Sequence, residues 1–250
     1  MRLVYVSDVG KDAEDERLSN YIADKTPLFY RELPKVLESF GDGHFVSTIK
    51  ETLSRLPTSE SFRSSHFAEI TTSIFAEEVM GLKKIYSKLS LLTAENANAF
   101  KMDLMLYRPK TDPVEFVLGE VKSSPKTEAD GLPAGHDKSC FADLFTSFNE
   151  YGEDDLSFDL TAAKDNIEAL DASERERVKA ALKPYAARLV SYAGFVIIDH
   201  STKSPEEVSL LATRKNKKTF DVDLICLEGF PVVADSVYKK LEAIRNACSL

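Results

Sequence analysis

The stretch Lys101-Met102-Asp103-Leu104-Met105-Leu106-Tyr107, followed after a turn by Glu115-Phe116-Val117-Leu118-Gly119-Glu120-Val121-Lys122, decides how this chain is read. Two apolar runs flank residues 108–114, where Pro109, Asp112 and Pro113 interrupt regular structure, so the pair predicts a β-hairpin. Centring the turn between Thr111 and Asp112 sets Asp103 opposite Glu120 and Lys101 opposite Lys122. Side chains alternate along a strand, which puts Asp103, Glu120 and Lys122 on one face and Met102, Leu104, Val117 and Val121 on the other. Two carboxylates and an ammonium on neighbouring strands make a site for a divalent metal and a phosphate, the chemistry of a nuclease.

The physical reason lies in the phosphodiester. Water must attack an anion and an alkoxide must leave; Mg²⁺ acidifies its bound water and neutralises charge on the scissile phosphate. Mg²⁺ takes oxygen ligands and keeps several waters, so two carboxylates suffice to hold it. Asp103 and Glu120 fill that role in this reading, with the Val121 carbonyl as a third oxygen; Mn²⁺ is expected to substitute for Mg²⁺. Lys122 would orient the attacking water or stabilise the charge that develops on the phosphate. Upstream, His66 and Glu69 are spaced i, i+3 on one stripe of a predicted helix, so Glu69 would lean over the hairpin as a third, catalytic carboxylate that helps bind a second metal or holds the attacking water.

The rest of the chain supplies the frame. At 250 residues and 43% hydrophobic it can bury a full core. Met1-Arg2-Leu3-Val4-Tyr5-Val6 reads as a strand rather than a signal peptide, and no apolar run reaches bilayer-spanning length. Short helices are predicted around 32–40 and 45–56, parted by Gly41-Asp42-Gly43 and closed by Pro57. A long amphipathic helix is predicted over 64–88, with Ser64 or Ser65 as its N-cap and Phe67, Ile70, Ile74, Leu82, Ile85 and Leu89 facing a sheet. Residues 89–93 read as a short strand, 95–99 and 123–135 as loops, and 138–151, 161–170 and 173–185 as helices. Phe195-Val196-Ile197-Ile198-Asp199 is apolar throughout, as in a strand covered on both faces. Residues 221–227 read as a strand and 234–247 as a closing helix. The order predicts an α/β or α+β fold: a mixed central sheet flanked by helices, with 1–60 as an N-terminal segment and 61–250 as the main body.

Charge and cysteines narrow the setting. The formal net charge is −9, whereas a protein that grips DNA alone shows a basic surface. Basic residues are local: Lys83, Lys84 and Lys88 on the predicted helix, and Arg214-Lys215-Asn216-Lys217-Lys218 near the end. Acidic residues gather at 12–16 and 150–159. Something else therefore delivers the nucleic acid. Cys140, Cys226 and Cys248 are far apart with no zinc-like spacing, which points to a reducing cytoplasm.

Asp103 and Glu120-Val121-Lys122, on a hairpin that follows a helix carrying Glu69, resemble the core of the PD-(D/E)XK nuclease superfamily. The wider context is His66-Phe67-Ala68-Glu69-Ile70, Gly119-Glu120-Val121-Lys122-Ser123-Ser124 and His136-Asp137-Lys138-Ser139. It resembles the HamA proteins of Hachiman anti-phage defence and the related AbpA phage-resistance proteins, over nearly the whole chain. The resemblance implies a Mg²⁺-dependent DNase effector encoded beside a superfamily-2, HamB-like helicase that restrains it until foreign or damaged DNA is sensed. One departure is Met102, where the superfamily pattern has Pro before the Asp.

Plainer explanations stand beside each residue. Cross-strand Lys–Glu pairs stabilise exposed sheet faces by a fraction to about 1 kcal/mol with no catalytic role. Gly119 weakens a strand unless backbone or ligand approaches closely there. Glu69 reads alternatively as a solvated helix carboxylate, His66 as a capping residue, His136 and Lys138 as helix-start residues, Cys140 as a core residue, and 214–218 as a solvated turn. Asp199 and His200 lack a nucleophile elbow, and the chain has no P-loop, so it is not itself an ATPase. The alternative function is a catalytically silent adaptor that docks and regulates a helicase; an RNase on the same scaffold is a further rival.

Overall fold

The computed structural model describes residues 2–6, 16–31, 33–91, 102–124, 140–200 and 216–247. Its spine is a six-stranded mixed sheet, in which the hairpin joins the parallel part to the antiparallel edge. The strands are β1 (Arg2–Val6), β2 (Lys83–Ser87), β3 (Leu104–Tyr107), β4 (Val114–Ser124), β5 (Arg188–Asp199) and β6 (Asp221–Leu227), in the order β1-β6-β5-β4-β3-β2. β1, β6, β5 and β4 run parallel, and β3 and β2 are antiparallel to their neighbours. The helices are α1 (Arg17–Lys25), α2 (Pro27–Tyr30), α3 (Leu33–Gly41), α4 (Phe45–Ser54), α5 (Glu60–Glu78), α6 (Cys140–Glu150), α7 (Glu153–Asp165), α8 (Ala172–Ala181) and α9 (Phe230–Ala247). This is the mixed α/β sheet with flanking helices that the sequence predicts.

Alternation sorts the sheet into two cores. One face sends Leu104, Leu106, Val117, Val121, Phe195 and Ile197 against α5 and α9, joined by Ile22, Phe29, Tyr30 and Leu53 from the N-terminal helices. The other sends Met105, Tyr107, Phe116, Leu118, Val196 and Ile198 against α6, α7 and α8. With both faces covered, β5 is buried from Ala193 to Asp199, which explains its unbroken apolar run. Gly194 allows the closest of these contacts: a Cβ there would lie 2.5 Å from Leu144 Cδ2 on α6.

The hairpin register is the predicted one, with Leu104 opposite Gly119 and Tyr107 opposite Phe116. The turn sets it. Arg108 N–H donates to Glu115 O at 2.9 Å, and the Thr111 hydroxyl donates to Arg108 O while accepting from Glu115 N–H, each at 3.1 Å. Asp103 lies just before β3, so strict alternation stops there. Met102 consequently packs with Met105 and Phe116, on the side opposite Leu104, Val117 and Val121, which corrects its expected face.

The largest correction concerns residues 64–88. The helix α5 starts earlier, capped by Ser59, whose hydroxyl accepts from Phe62 N–H at 3.4 Å, and it ends at Glu78. Gly81, at φ +68°, turns the chain out of the helix. Lys83–Ser87 then forms β2, and Lys88–Leu91 is a 3-10 turn where a strand over 89–93 was expected. Leu82, Ile85 and Leu89 fall at helical spacing by coincidence; Lys-Lys-Ile-Tyr-Ser is a short strand whose last three residues are buried. The basic residues Lys83, Lys84 and Lys88 therefore do not share a helix face. The helix α5 is also not amphipathic in the expected sense: it is buried at 66–70 and 72–76, because the sheet covers one side and the N-terminal helices and α9 cover the others.

Elsewhere boundaries shift. α1 and α2 precede the expected helices, α7 occupies Glu153–Asp165 rather than 161–170, and the chain beyond it makes a 3-10 turn, Ile167–Ala169, before α8. The predicted loop 95–99 and His136, Lys138, Arg214, Lys215 and Cys248 lie outside the described residues, as does most of the acidic stretch 12–16. Among the described residues, no helix is long and apolar enough to cross a membrane.

Candidate active site

The hairpin, α5 and the turn after β2 meet where β3 begins and β4 is about to end. Asp103 is fixed there by its backbone on both sides: its N–H donates to Gly119 O at 3.0 Å, and its carbonyl accepts from Lys88 N–H at 3.0 Å. Its side chain is equally constrained. Oδ2 accepts from Val121 N–H at 2.7 Å, and Oδ1 meets the Lys88 ammonium. On β4, Glu120 Oε1 is 2.8 Å from Lys122 Nζ. Glu69, on α5, lies 3.4 Å by its Oε1 from Lys88 Nζ and 3.4 Å from the Ser65 hydroxyl.

The site thus brings together Asp103, Glu120 and Lys122, with Glu69 linked to them through Lys88. Asp103, Glu120 and Glu69 are each buried, at 3%, 4% and 2% exposure, while Lys122 keeps 28% of its side chain exposed. Burial favours the neutral form of a carboxyl group, and neighbouring like charges add to it. Burial, then the charge of Asp103, push Glu120 up to about 7, against the opposing pull of Lys122. Burial pushes Glu69 up to about 8, opposed by Lys88 and reinforced by Asp103. Lys122 is held above the ordinary lysine range: burial opposes the charge, but the carboxylates of Glu120 and Asp103 outweigh it. The same balance, with Asp103 and Glu69 as partners, holds Lys88 well above that range.

Glu69 Oε2 and Glu120 Oε2 are both buried without a hydrogen-bond partner among the described residues. A buried carboxylate oxygen left unpaired is costly, of order 1–3 kcal/mol, and asks for a ligand. Among the described residues no three His, Cys, Asp or Glu side chains converge as metal ligands, so a metal here would be held by the pair of hairpin carboxylates rather than by a full protein cage. That set suits Mg²⁺, which is commonly held by one or two carboxylates and completes its shell with water. The residues therefore fit the ion.

Lys88 is the residue that sequence reasoning missed. The sequence places it with Lys83 and Lys84 on a predicted helix, whereas its side chain is only 16% exposed and sits between two acids. Gly81, which ends α5, and the Ile-Tyr pair that follows were the available signals for a strand leading into this position. His66 stands one turn before Glu69 and is buried, its Nδ1 2.8 Å from the Tyr30 hydroxyl. Burial holds it down to about 4, so it is neutral near pH 7. Gly119 serves packing: a Cβ there would lie 3.2 Å from both Leu104 Cβ and Phe195. Asp199 Oδ2 accepts from Phe230 N–H at 2.9 Å at the start of α9, a structural role. Asp159, counted among the acidic residues of 150–159, is fully buried and accepts from the hydroxyls of Tyr86 at 3.2 Å and Tyr151 at 2.7 Å. Of the basic run, Lys218 donates to Tyr151 O at 2.6 Å and Asn216 donates to Phe145 O at 3.0 Å, so part of it is tied to α6.

A protein-family model described as HamA matches residues 1–241. The chain belongs to the HamA family. Membership makes it a component of the Hachiman defence system. The match extends from β1 into α9 and so includes every strand of the sheet and every residue of the candidate site. No curated protein matches the chain.

Proposed function

We propose that this HamA-family chain is a Mg²⁺-dependent DNA nuclease, built on a PD-(D/E)XK-type core, that acts in the cytoplasm under the control of a superfamily-2 helicase. The observation that carries the reading is the buried placement of Asp103 and Glu120 on adjacent strands beside Lys122, with Glu120 Oε2 left without a partner among the described residues. Packing alone gives no reason to bury three carboxylates and two ammoniums together, since buried ion pairs seldom repay their desolvation.

In this mechanism Asp103 and Glu120 would hold the metal, with the Val121 carbonyl as a further oxygen. When bound, Mg²⁺ would supply an acidified water and neutralise charge on the scissile phosphate. Asp103 is kept in place by Val121 N–H, so its carboxylate needs no reorganisation when substrate arrives. Lys122, anchored by Glu120 and the more exposed of the two lysines, faces the growing negative charge on the phosphate oxygens. Glu69 holds Lys88 against Asp103 and so maintains the shape of the acidic pocket.

A net charge of −9 opposes unaided DNA binding, which supports delivery of the strand by a partner. The same charge favours one alternative, an inactive adaptor for the helicase. Incubating plasmid DNA with the chain, alone and with its helicase and ATP, in Mg²⁺ and in EDTA, separates the two. Degradation that needs Mg²⁺ is the expected result. Intact plasmid under every condition, with the helicase still bound, would establish the adaptor. Degradation of tRNA but not plasmid would make the chain an RNase.

A further inference from the structure

We propose that Lys88 is the resident cation of this site, its ammonium standing between Asp103 and Glu69 where a second divalent ion would otherwise lie, so that the site takes a single Mg²⁺ on the Asp103–Glu120 side. The inference rests on the nuclease reading and adds to it the number of ions and the residue that sets that number.

Two-metal nucleases place their ions about 3.5–4 Å apart and need a carboxylate shared between them. Asp103 is the only one of the three acids positioned for sharing, because it meets Lys88 on one oxygen while its other oxygen lies beside Glu120's strand. The oxygen that a second ion would use is the one in contact with the ammonium. Glu69, the remaining ligand such an ion would require, is 3.4 Å from the same ammonium.

Lys88 is not a surface lysine that happens to fold inward. Its N–H donates to Asp103 O at 3.0 Å, so backbone and side chain are fastened to the same residue. The turn that carries it is closed by Ser87, whose hydroxyl accepts from Leu89 N–H at 3.2 Å and whose carbonyl accepts from the Ser90 hydroxyl at 2.8 Å. The backbone bond fixes where the side chain starts, and the carboxylates of Asp103 and Glu69 hold the ammonium at its end.

Charge balance agrees. Even with all three carboxylates ionised, the case most favourable to cations, Lys88 and Lys122 leave only one negative charge. One Mg²⁺ turns that into one positive charge, which a phosphodiester neutralises. A second ion would leave two uncompensated positive charges in a buried pocket even with the phosphodiester bound, at high electrostatic cost.

The test counts ions rather than products. Titration with Mn²⁺, followed by the loss of the free-ion electron paramagnetic resonance signal, should give one bound ion per wild-type chain. Lys88→Met should bind two, because Glu69 and the freed Asp103 oxygen become available. The double variant Lys88→Met/Glu69→Gln, which removes one ligand of the second ion and lessens the unbalanced charge, should return to one. Two ions on the wild-type chain, or one on folded Lys88→Met, would overturn the proposal. Should Lys88→Met fail to fold without metal, the wild-type count and the double variant decide the matter, two ions on either being fatal. A wild-type chain that binds no Mn²⁺ would instead overturn the metal-dependent reading of the site, and this inference with it.

Discussion

Lys122→Ala is expected to lower DNA cleavage by about 10²–10³-fold, the loss typical of removing one preorganised group that stabilises transition-state charge. The fold should survive the change. Lys122 is partly exposed, and its partner Glu120 is already inclined to hold a proton, so the buried carboxyl can neutralise itself instead of remaining as an unpaired charge. Melting should therefore stay within about 4 °C of wild type, corresponding to a stability change of roughly 1 kcal/mol or less. A plasmid-degradation time course together with thermal denaturation checks both halves. Equal cleavage by wild type and variant would remove Lys122 from the mechanism, and collapse of the fold would show that its ion pair is structural.

Glu120→Gln is expected to stabilise the metal-free protein at pH 8 while abolishing its response to Mg²⁺. Glu120 is pushed up to about 7 by burial and by Asp103, whereas an unfolded glutamate titrates at about 4.3. A folded value above the unfolded one means that the stabilising contribution is complete below about pH 4.3 and is lost as pH rises through 7. Glutamine cannot ionise, so the variant should gain about 2–3 kcal/mol over wild type between pH 5 and pH 8. Glu69, pushed up to about 8 chiefly by burial and in part by the charge of Glu120, destabilises the wild type over the same window; removing that charge lowers it, which adds to the gain of the variant. His66 cancels in the difference, since its burial costs stability only as pH falls below its ordinary range. Lys88 and Lys122 stay charged throughout. Added Mg²⁺ should raise the wild-type melting temperature more at pH 8 than at pH 6, because the ion needs the ionised carboxylate. Chemical denaturation of both proteins across this range, with and without Mg²⁺, is the check. Parallel pH profiles, or a Mg²⁺ shift retained by Glu120→Gln, would separate Glu120 from the metal.

The parts of the molecule legible in the sequence are those where one physical pattern acts alone. The hairpin register followed from turn chemistry at Thr111 to Pro113 and from alternation on either side. The strand Asp221–Leu227 was visible from its alternation, and the apolar run inside β5 because a strand covered on both faces leaves little room for polar residues. The segment 79–91 failed because Leu82, Ile85 and Leu89 satisfy helical spacing while Gly81, which sends the chain elsewhere, is a single residue against them. That one error hid Lys88. An ammonium at an assumed helix surface carries no chemical meaning; on a turn whose backbone is bonded to Asp103, it becomes part of the site. Burial was illegible for the same reason at Asp159, whose acidic neighbours suggested solvent, although Tyr86 and Tyr151 reach it from β2 and the end of α6.

The most direct measurement is the anomalous scattering of crystals soaked in Mn²⁺. The account predicts one peak per chain within coordinating distance, about 2.0–2.3 Å, of carboxylate oxygens from both Asp103 and Glu120. Lys122 should lie beside that peak without ligating it. Absence of any peak at these two residues, while Mn²⁺ is bound elsewhere on the chain, would contradict it.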